Sequence, residues 1–263
     1  MKRKRIISGI VLFTILALIL ILGNTTAVNI AISTVAIISI NEYFNSFKEK
    51  KNVDRWIGTL LAILIAFLNL ISPQMLIVSF FIGIVFLFLK IIITKMKTNF
   101  EDVAITGFGI VYILAFIIFI PLLYKCENGK FLIWYLAIAA WGTDTFAYAV
   151  GMKLGKHKLT PISPKKSVEG SISGIIGAVI LSIIYTYILN KVWNFEISYI
   201  AIVGIATILS VLGQIGDLAA SSVKRFTGIK DFGKIIPGHG GMLDRIDSIL
   251  LIAPFAYFLL NLI

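Results

Sequence analysis

The chain has 263 residues, 59% of them hydrophobic and 14% charged, with 24 Lys and Arg against 13 Asp and Glu for a formal net charge of +11. So apolar a composition excludes a soluble globular domain, and basic residues confined to short loops exclude a nucleic-acid-binding face. A single cysteine, Cys126, excludes an internal disulfide and a cysteine-based zinc site.

What remains is an all-α integral membrane protein, because in lipid a helix satisfies its own backbone hydrogen bonds and about 20 apolar residues cross the hydrocarbon. Nine spans are predicted, at 6–23, 25–41, 56–72, 75–93, 103–123, 131–150, 168–189, 197–220 and 247–262. The first follows "MKRKR" and resembles a signal peptide, but its apolar run is long and "GNTTAVN" lacks a small-x-small cleavage site, so it reads as a retained helix. Asn24, Thr25 and Thr26 leave little room for a turn before the second span. Ser72, Pro73 and Gln74 make a tight turn between the third and fourth.

With the N-terminus inside, the inner segments carry four, four, three, five and five Lys/Arg and the outer ones none, none, two, one and none, so 21 of the 24 lie inside. The positive-inside rule therefore predicts a cytosolic N-terminus and a C-terminus on the outer side. Residues 1–130 hold five spans with modest loops. Residues 131–263 hold four spans and two long cytosolic segments, 151–167 and 217–247, rich in Gly, Lys, Ser and Pro, where chemistry is expected.

The sixth span contains "WGTDTFAYAVG", which sets Asp144 at membrane depth beside Thr143 and Thr145, one turn from Tyr148. A carboxylate there is costly unless paired, metal-bound or facing water, so it reads as functional; a buried helix–helix hydrogen bond is the alternative. In "GKHKLTPISPKKSVEG", Lys156, Lys158, Lys165 and Lys166 with Ser163 and Ser167 suit phosphate, ahead of an anion-friendly helix N-terminus. The alternative is a basic loop on anionic headgroups, and His157 between lysines reads as solvated.

On a continuing eighth helix Lys224 falls seven residues after Asp217, on roughly the same face. Asp244 and Asp247, three apart, share one side of the last helix while Arg245 points elsewhere. Such carboxylates suit Mg²⁺, which takes one or two from the protein and completes its shell with water and phosphate oxygens. The glycines of "PGHGG" permit unusual dihedrals and an anion-binding nest of N–H groups. His239 serves either a ligand or the backbone. Acids for a metal, bases for phosphates and glycines for close approach are the parts of a phosphoryl or nucleotidyl transfer site.

From Ser222 to Asp247 the stretch "SSVKRFTGIKDFGKIIPGHGGMLDRID" closely resembles the signature of the phosphatidate cytidylyltransferase, or CDP-diacylglycerol synthase, family. "SPKKSVEG" and "DTFAYAVG" resemble two further motifs of that family, so the resemblance covers residues 141–250 by motif and the rest by hydropathy. It implies that CTP and phosphatidate give CDP-diacylglycerol and pyrophosphate in phospholipid biosynthesis. It also implies Mg²⁺, often with K⁺ as a second cation, a bacterial inner membrane with the active site on the cytosolic face, and a homodimer. Carried onto this sequence, it makes Asp217 and Asp244 metal ligands, with Asp247 and Asp144 behind them or on the second cation. Lys165, Lys166, Lys224 and Arg225 would clamp the triphosphate or the lipid head. Ser167, Ser222, Lys230, Asp231, His239, Gly240, Gly241 and Arg245 would complete the substrate pocket.

Three rivals differ in pattern. A polyprenol or phytol kinase would carry another signature here, and a CDP-alcohol phosphotransferase needs carboxylates four apart where Asp244 and Asp247 are three apart. In a transporter or channel the charges would line a path across the membrane, whereas here they gather on one face.

Overall fold

The computed structural model describes residues 2–51, 53–71, 73–95 and 97–263, and the side chains of all of these except 2–7, 65–71 and 73–77. The described residues are helical, with no strand beyond two isolated bridges. In chain order the helices are α1 Lys2–Leu22, α2 Thr25–Ser46, α3 Arg55–Ile71, α4 Pro73–Ile93, α5 Phe100–Gly109, α6 Phe119–Lys125, α7 Gly129–Ala137, α8 Thr143–Leu154, α9 Val168–Val192, α10 Tyr199–Thr227 and α11 Leu243–Leu260. π-Helical turns at Ile110–Ala115 and Ile138–Gly142 follow α5 and α7.

Local chemistry explains several boundaries. Gly23 and Asn24 are the whole break between α1 and α2, and the Asn24 side chain accepts from the Ala27 N–H at 2.9 Å, an N-cap. Asn99 and Asp102 form a reciprocal capping box on α5. Pro73 opens α4, where its missing N–H costs nothing. The predicted turn begins at Ser72, which lies outside the described residues.

Among the described residues four helices are long and apolar enough to cross a membrane: Thr25–Ser46, Phe100–Lys125, Val168–Val192 and Tyr199–Thr227. Shorter apolar helices run over Ser8–Leu22, Arg55–Leu64 and Val78–Ile93. The sixth predicted span runs through the π-turn at Ile138–Gly142 that joins α7 to α8, and the head of α11 carries Asp244, Arg245 and Asp247. Isoleucines 172, 176, 180 and 184 of α9 are all exposed, as expected of helix faces that meet lipid. An integral membrane protein is the architecture these helices make.

The chain divides into two compact units. The first comprises Met1–Pro121 with Phe226–Ile246. Its core is built on α2, where Ile40, Tyr43, Phe44 and Phe47 are all buried and recur at the i, i+3, i+4, i+7 spacing of one helix face. Backbones approach closely around these rings: a Cβ on Gly109 would sit 2.4 Å from the Tyr43 ring, and one on Gly58 2.0 Å from that of Phe44. The Tyr43 hydroxyl donates to Ile105 O at 3.1 Å, and Lys90 pairs with buried Asp54.

The second unit comprises Leu122–Arg225 with Asp247–Ile263. Here α9 meets α8 along Gly170, Gly174 and Gly177, where added Cβ atoms would lie 2.8 Å from Ala147 O, 2.9 Å from Thr143 O and 2.2 Å from Phe146 Cγ. Small residues let helices associate in lipid, where packing and interhelical hydrogen bonds replace the hydrophobic drive. Thr143 and Ser210 hydroxyls bond at 2.6 Å between α8 and α10, and Ser171 bonds Gln214 between α9 and α10. Gly213 and Gly216 of α10 let it approach the Asp247–Ile252 turns of α11.

Candidate active site

In the second unit α8, the loop at 155–167, α10 and α11 bring charged side chains together. Helix α10 continues past 220 to Thr227, which puts Asp217, Ser222, Lys224 and Arg225 on one rigid element. Lys166 Nζ lies 2.6 Å from Asp217 Oδ2, with both side chains about a quarter exposed, at 28% and 27%. Lys224 Nζ lies 3.9 Å from Asp247 Oδ2 in drier surroundings, 16% and 8% exposed. The other oxygen of Asp247 accepts the Ser248 N–H at 2.8 Å. Asp217 and Asp144 both stand within electrostatic reach of Asp247, so three carboxylates and two lysines share one field. A Cβ on Gly216 would fall 2.7 Å from Asp247 O, so glycine is what lets α10 bring Asp217 alongside α11.

The loop at 155–167 folds back on itself. Leu159 N donates to Lys166 O and Val168 N to His157 O, both at 2.9 Å. Glu169 binds this hairpin through His157 Nδ1 at 2.6 Å and the N–H groups of Lys156 and His157, so His157 has a defined partner as well as solvent. Ser167 caps α9 by accepting from Gly170 N at 3.1 Å. Arg225 Nε donates to Ile162 O at 3.3 Å, tying the end of α10 to the same loop. Lys165 is exposed, as is Asp144 in the first turn of α8. Ser222 is exposed as well, and its hydroxyl donates back to Ala219 O at 2.7 Å.

In the first unit the glycine-rich segment is a tight turn. His239 N donates to Ile236 O at 2.9 Å with Pro237 and Gly238 between them, and Gly238 has φ +79°, the pattern of a type II turn. Gly240 follows at φ +90°, and its carbonyl accepts from Ile236 N–H at 3.0 Å. The anion cradled by this backbone is the chain's own: Asp244 Oδ2 accepts from Phe232 N at 2.8 Å and Gly241 N at 3.0 Å. His239 Nδ1 lies 2.8 Å from the Ser8 hydroxyl, which also donates to Pro237 O, so α1 braces the turn. Lys230, Asp231 and Arg245 are exposed.

The structure thus collects Asp144, Lys166, Asp217, Lys224 and Asp247 in one unit, and Lys230, Asp231, His239, Gly240, Gly241 and Asp244 in the other. Sequence reasoning passed over Ser8, Glu42 and Glu169. Glu42 was legible in principle, because the apolar face of α2 runs past it to Phe47 and carries it into the helix. Ser8 has no such signal.

Among the described residues no three His, Cys, Asp or Glu side chains stand close enough to cage a metal by themselves. What stands there is Asp217 and Asp247, each with an ammonium group beside it, and Asp144 in the same field. That donor set fits a cation that shares its shell with substrate phosphates, and does not fit one held by protein alone.

A sequence profile described as the cytidylyltransferase family matches residues 3–263. The chain is 43% identical over 173 residues to the phosphatidate cytidylyltransferase of Bacillus subtilis, an alignment that spans 65% of this chain and 63% of that protein. It is 35% identical over 269 residues to the phosphatidate cytidylyltransferase of Staphylococcus haemolyticus, covering 98% of each. A third, from Thermotoga maritima, is 34% identical over 193 residues, 72% of this chain and 70% of that one. With its profile matched from end to end and its signature residues folded about two carboxylate centres, the chain belongs to the cytidylyltransferase family.

Proposed function

We propose that the chain transfers the cytidylyl group of CTP to phosphatidate, giving CDP-diacylglycerol and pyrophosphate in phospholipid biosynthesis. The observation that carries this reading is the Lys166–Asp217 and Lys224–Asp247 cluster, which joins the loop at 155–167 to α10 and α11 in a chain matched over residues 3–263 by the family profile.

A phosphate oxygen of phosphatidate attacks the α-phosphorus of CTP in line, forming the new P–O bond as the bond to the β-phosphate bridging oxygen breaks and pyrophosphate leaves. The attacking oxygen is already anionic, so neither a protein nucleophile nor a general base is required, and positioning with charge stabilisation supplies the catalysis. Asp217 and Asp247, with Asp144 beside them, would hold Mg²⁺ and K⁺, and Asp244, one helical turn before Asp247 in α11, is the remaining carboxylate assigned to metal. Mg²⁺ held there would offset the charge of the triphosphate and of the departing pyrophosphate. Lys166 and Lys224 turn from carboxylate to phosphate as substrate enters, and Lys165 and Arg225 flank them on the same loop and helix.

Phosphatidate stays in its leaflet while CTP is soluble, so the reaction needs headgroup depth. The nine-span topology with the N-terminus and the active site cytosolic, in a bacterial inner membrane, belongs to this reading and rests on the 21 of 24 basic residues assigned to inner segments. So does the homodimer, which a mass measurement in detergent checks. The chemistry itself is tested by offering the purified chain phosphatidate with CTP labelled at either the α- or the γ-phosphorus. Label from the α-position in lipid and from the γ-position in pyrophosphate is the expected result. Label from the γ-position in lipid would make the protein a kinase instead.

A further inference from the structure

Glu42 is an acid in the last turns of an otherwise apolar helix, 5% exposed, with no lysine or arginine paired to it among the described residues. Its partners are in the glycine-rich segment of the same unit. Oε2 accepts the Leu243 N–H at 2.9 Å, at the first residue of α11, and the Met242 N–H faces the same carboxylate. Oε1 is buried against Gly233 with no hydrogen-bond partner among the described residues. The fit on both sides is too close for any side chain but glycine: a Cβ on Gly233 would lie 2.1 Å from Oε1 and one on Gly241 2.4 Å from Oε2. Gly241, whose N–H holds Asp244, and Gly233, which follows the other donor Phe232, are therefore built around the Glu42 carboxylate.

We infer that Glu42 is a positioning residue for cytidylyl transfer, a buried peg from α2 that seats the segment between Phe232 and Leu243 and thereby fixes Asp244 at the start of α11. The inference rests on the reaction proposed above. Two details favour a peg over a charge. Among the described residues only one of its oxygens is hydrogen-bonded, and the bonds it makes are to backbone groups that a neutral acceptor of the same length satisfies equally.

Glu42→Gln and Glu42→Asp separate the two roles, because Gln keeps the reach and loses the charge while Asp keeps the charge and falls one methylene short. Conversion of CTP and phosphatidate to CDP-diacylglycerol is measured for both, with amide hydrogen exchange over residues 228–247. A peg predicts Glu42→Gln within about threefold of the native kcat. It predicts Glu42→Asp lower by roughly ten- to a hundredfold, since a displacement of about 1 Å in a supporting residue costs that much. KM for both substrates changes little, and exchange at Phe232, Gly241 and Leu243 quickens in Glu42→Asp alone. Glu42→Asp matching or exceeding Glu42→Gln, or the two losing activity equally, would overturn the inference. Were the native chain inactive toward phosphatidate, the reaction would fall, and the exchange comparison would still decide the role of Glu42.

Discussion

Around the glycine-rich turn the buried carboxylates of Glu42 and Asp244 take backbone N–H groups, whereas on α10 and α11 those of Asp217 and Asp247 face the ammonium groups of Lys166 and Lys224. Backbone donors cannot leave without unmaking the turn. Lysine side chains can swing away, and a pair as exposed as Lys166 with Asp217 contributes no more than about 1 kcal/mol. In the first region the carboxylates are tied to the backbone around them; the second holds charges that an incoming phosphate or cation can take over.

The contrast predicts where function and stability part company. Asp217→Asn and Asp247→Asn should each lower kcat by about 10³-fold or more, as loss of a charge that acts on the reacting phosphates does, with the thermal midpoint moved by only a few degrees. Steady-state kinetics beside a thermal melt checks this, and a variant that unfolds while its folded fraction stays active would erase the distinction. Lys224→Ala comes next, with about a hundredfold loss concentrated in kcat/KM for CTP. It leaves Asp247 buried without its cation, so stability should fall as well.

Gly240→Ala tests the other side. At φ +90° an alanine costs about 1–2 kcal/mol, and its Cβ would meet Asp244 Oδ2 at 3.1 Å and the Asp231 side chain at 3.2 Å. A lower melting temperature should accompany whatever activity is lost, the reverse of the Asp217 pattern. The smallest effect belongs to Ser167→Ala. Loss of the N-cap should cost about 1 kcal/mol of stability, with KM for CTP unchanged because the hydroxyl is committed to Gly170 N. A raised KM with unchanged stability would return Ser167 to the substrate.

Much of this was readable in the chain, and the rest was hidden for definite reasons. The Asp144, Lys166 and Asp217 motifs announce themselves because charge is costly in an apolar helix or clusters in a loop beside one. Their pairing does not, since no periodicity reports that Lys166 meets Asp217, and Lys224, placed by helical spacing on the face of Asp217, pairs with Asp247. The eighth span closes at 220 where polar residues begin, and the continuing helix considered beyond it is found, since α10 runs on to Thr227. The second span was closed at 41 for the same reason, which left Glu42 in a loop, although Tyr43, Phe44 and Phe47 continue the buried face of α2. Residues 1–130 offer apolar spans with modest loops and no motif, yet their Ser8 and Glu42 reach into the signature itself.

The central claim is that this chain makes CDP-diacylglycerol with the carboxylates gathered at α10 and α11. Its most direct test is the rate of CDP-diacylglycerol formation from CTP and phosphatidate by the purified chain, with Mg²⁺ and after chelation, beside folded Asp217→Asn. The account predicts cation-dependent turnover by the native chain that vanishes both on chelation and in the variant. Full activity in Asp217→Asn, or turnover indifferent to the cation, would contradict it.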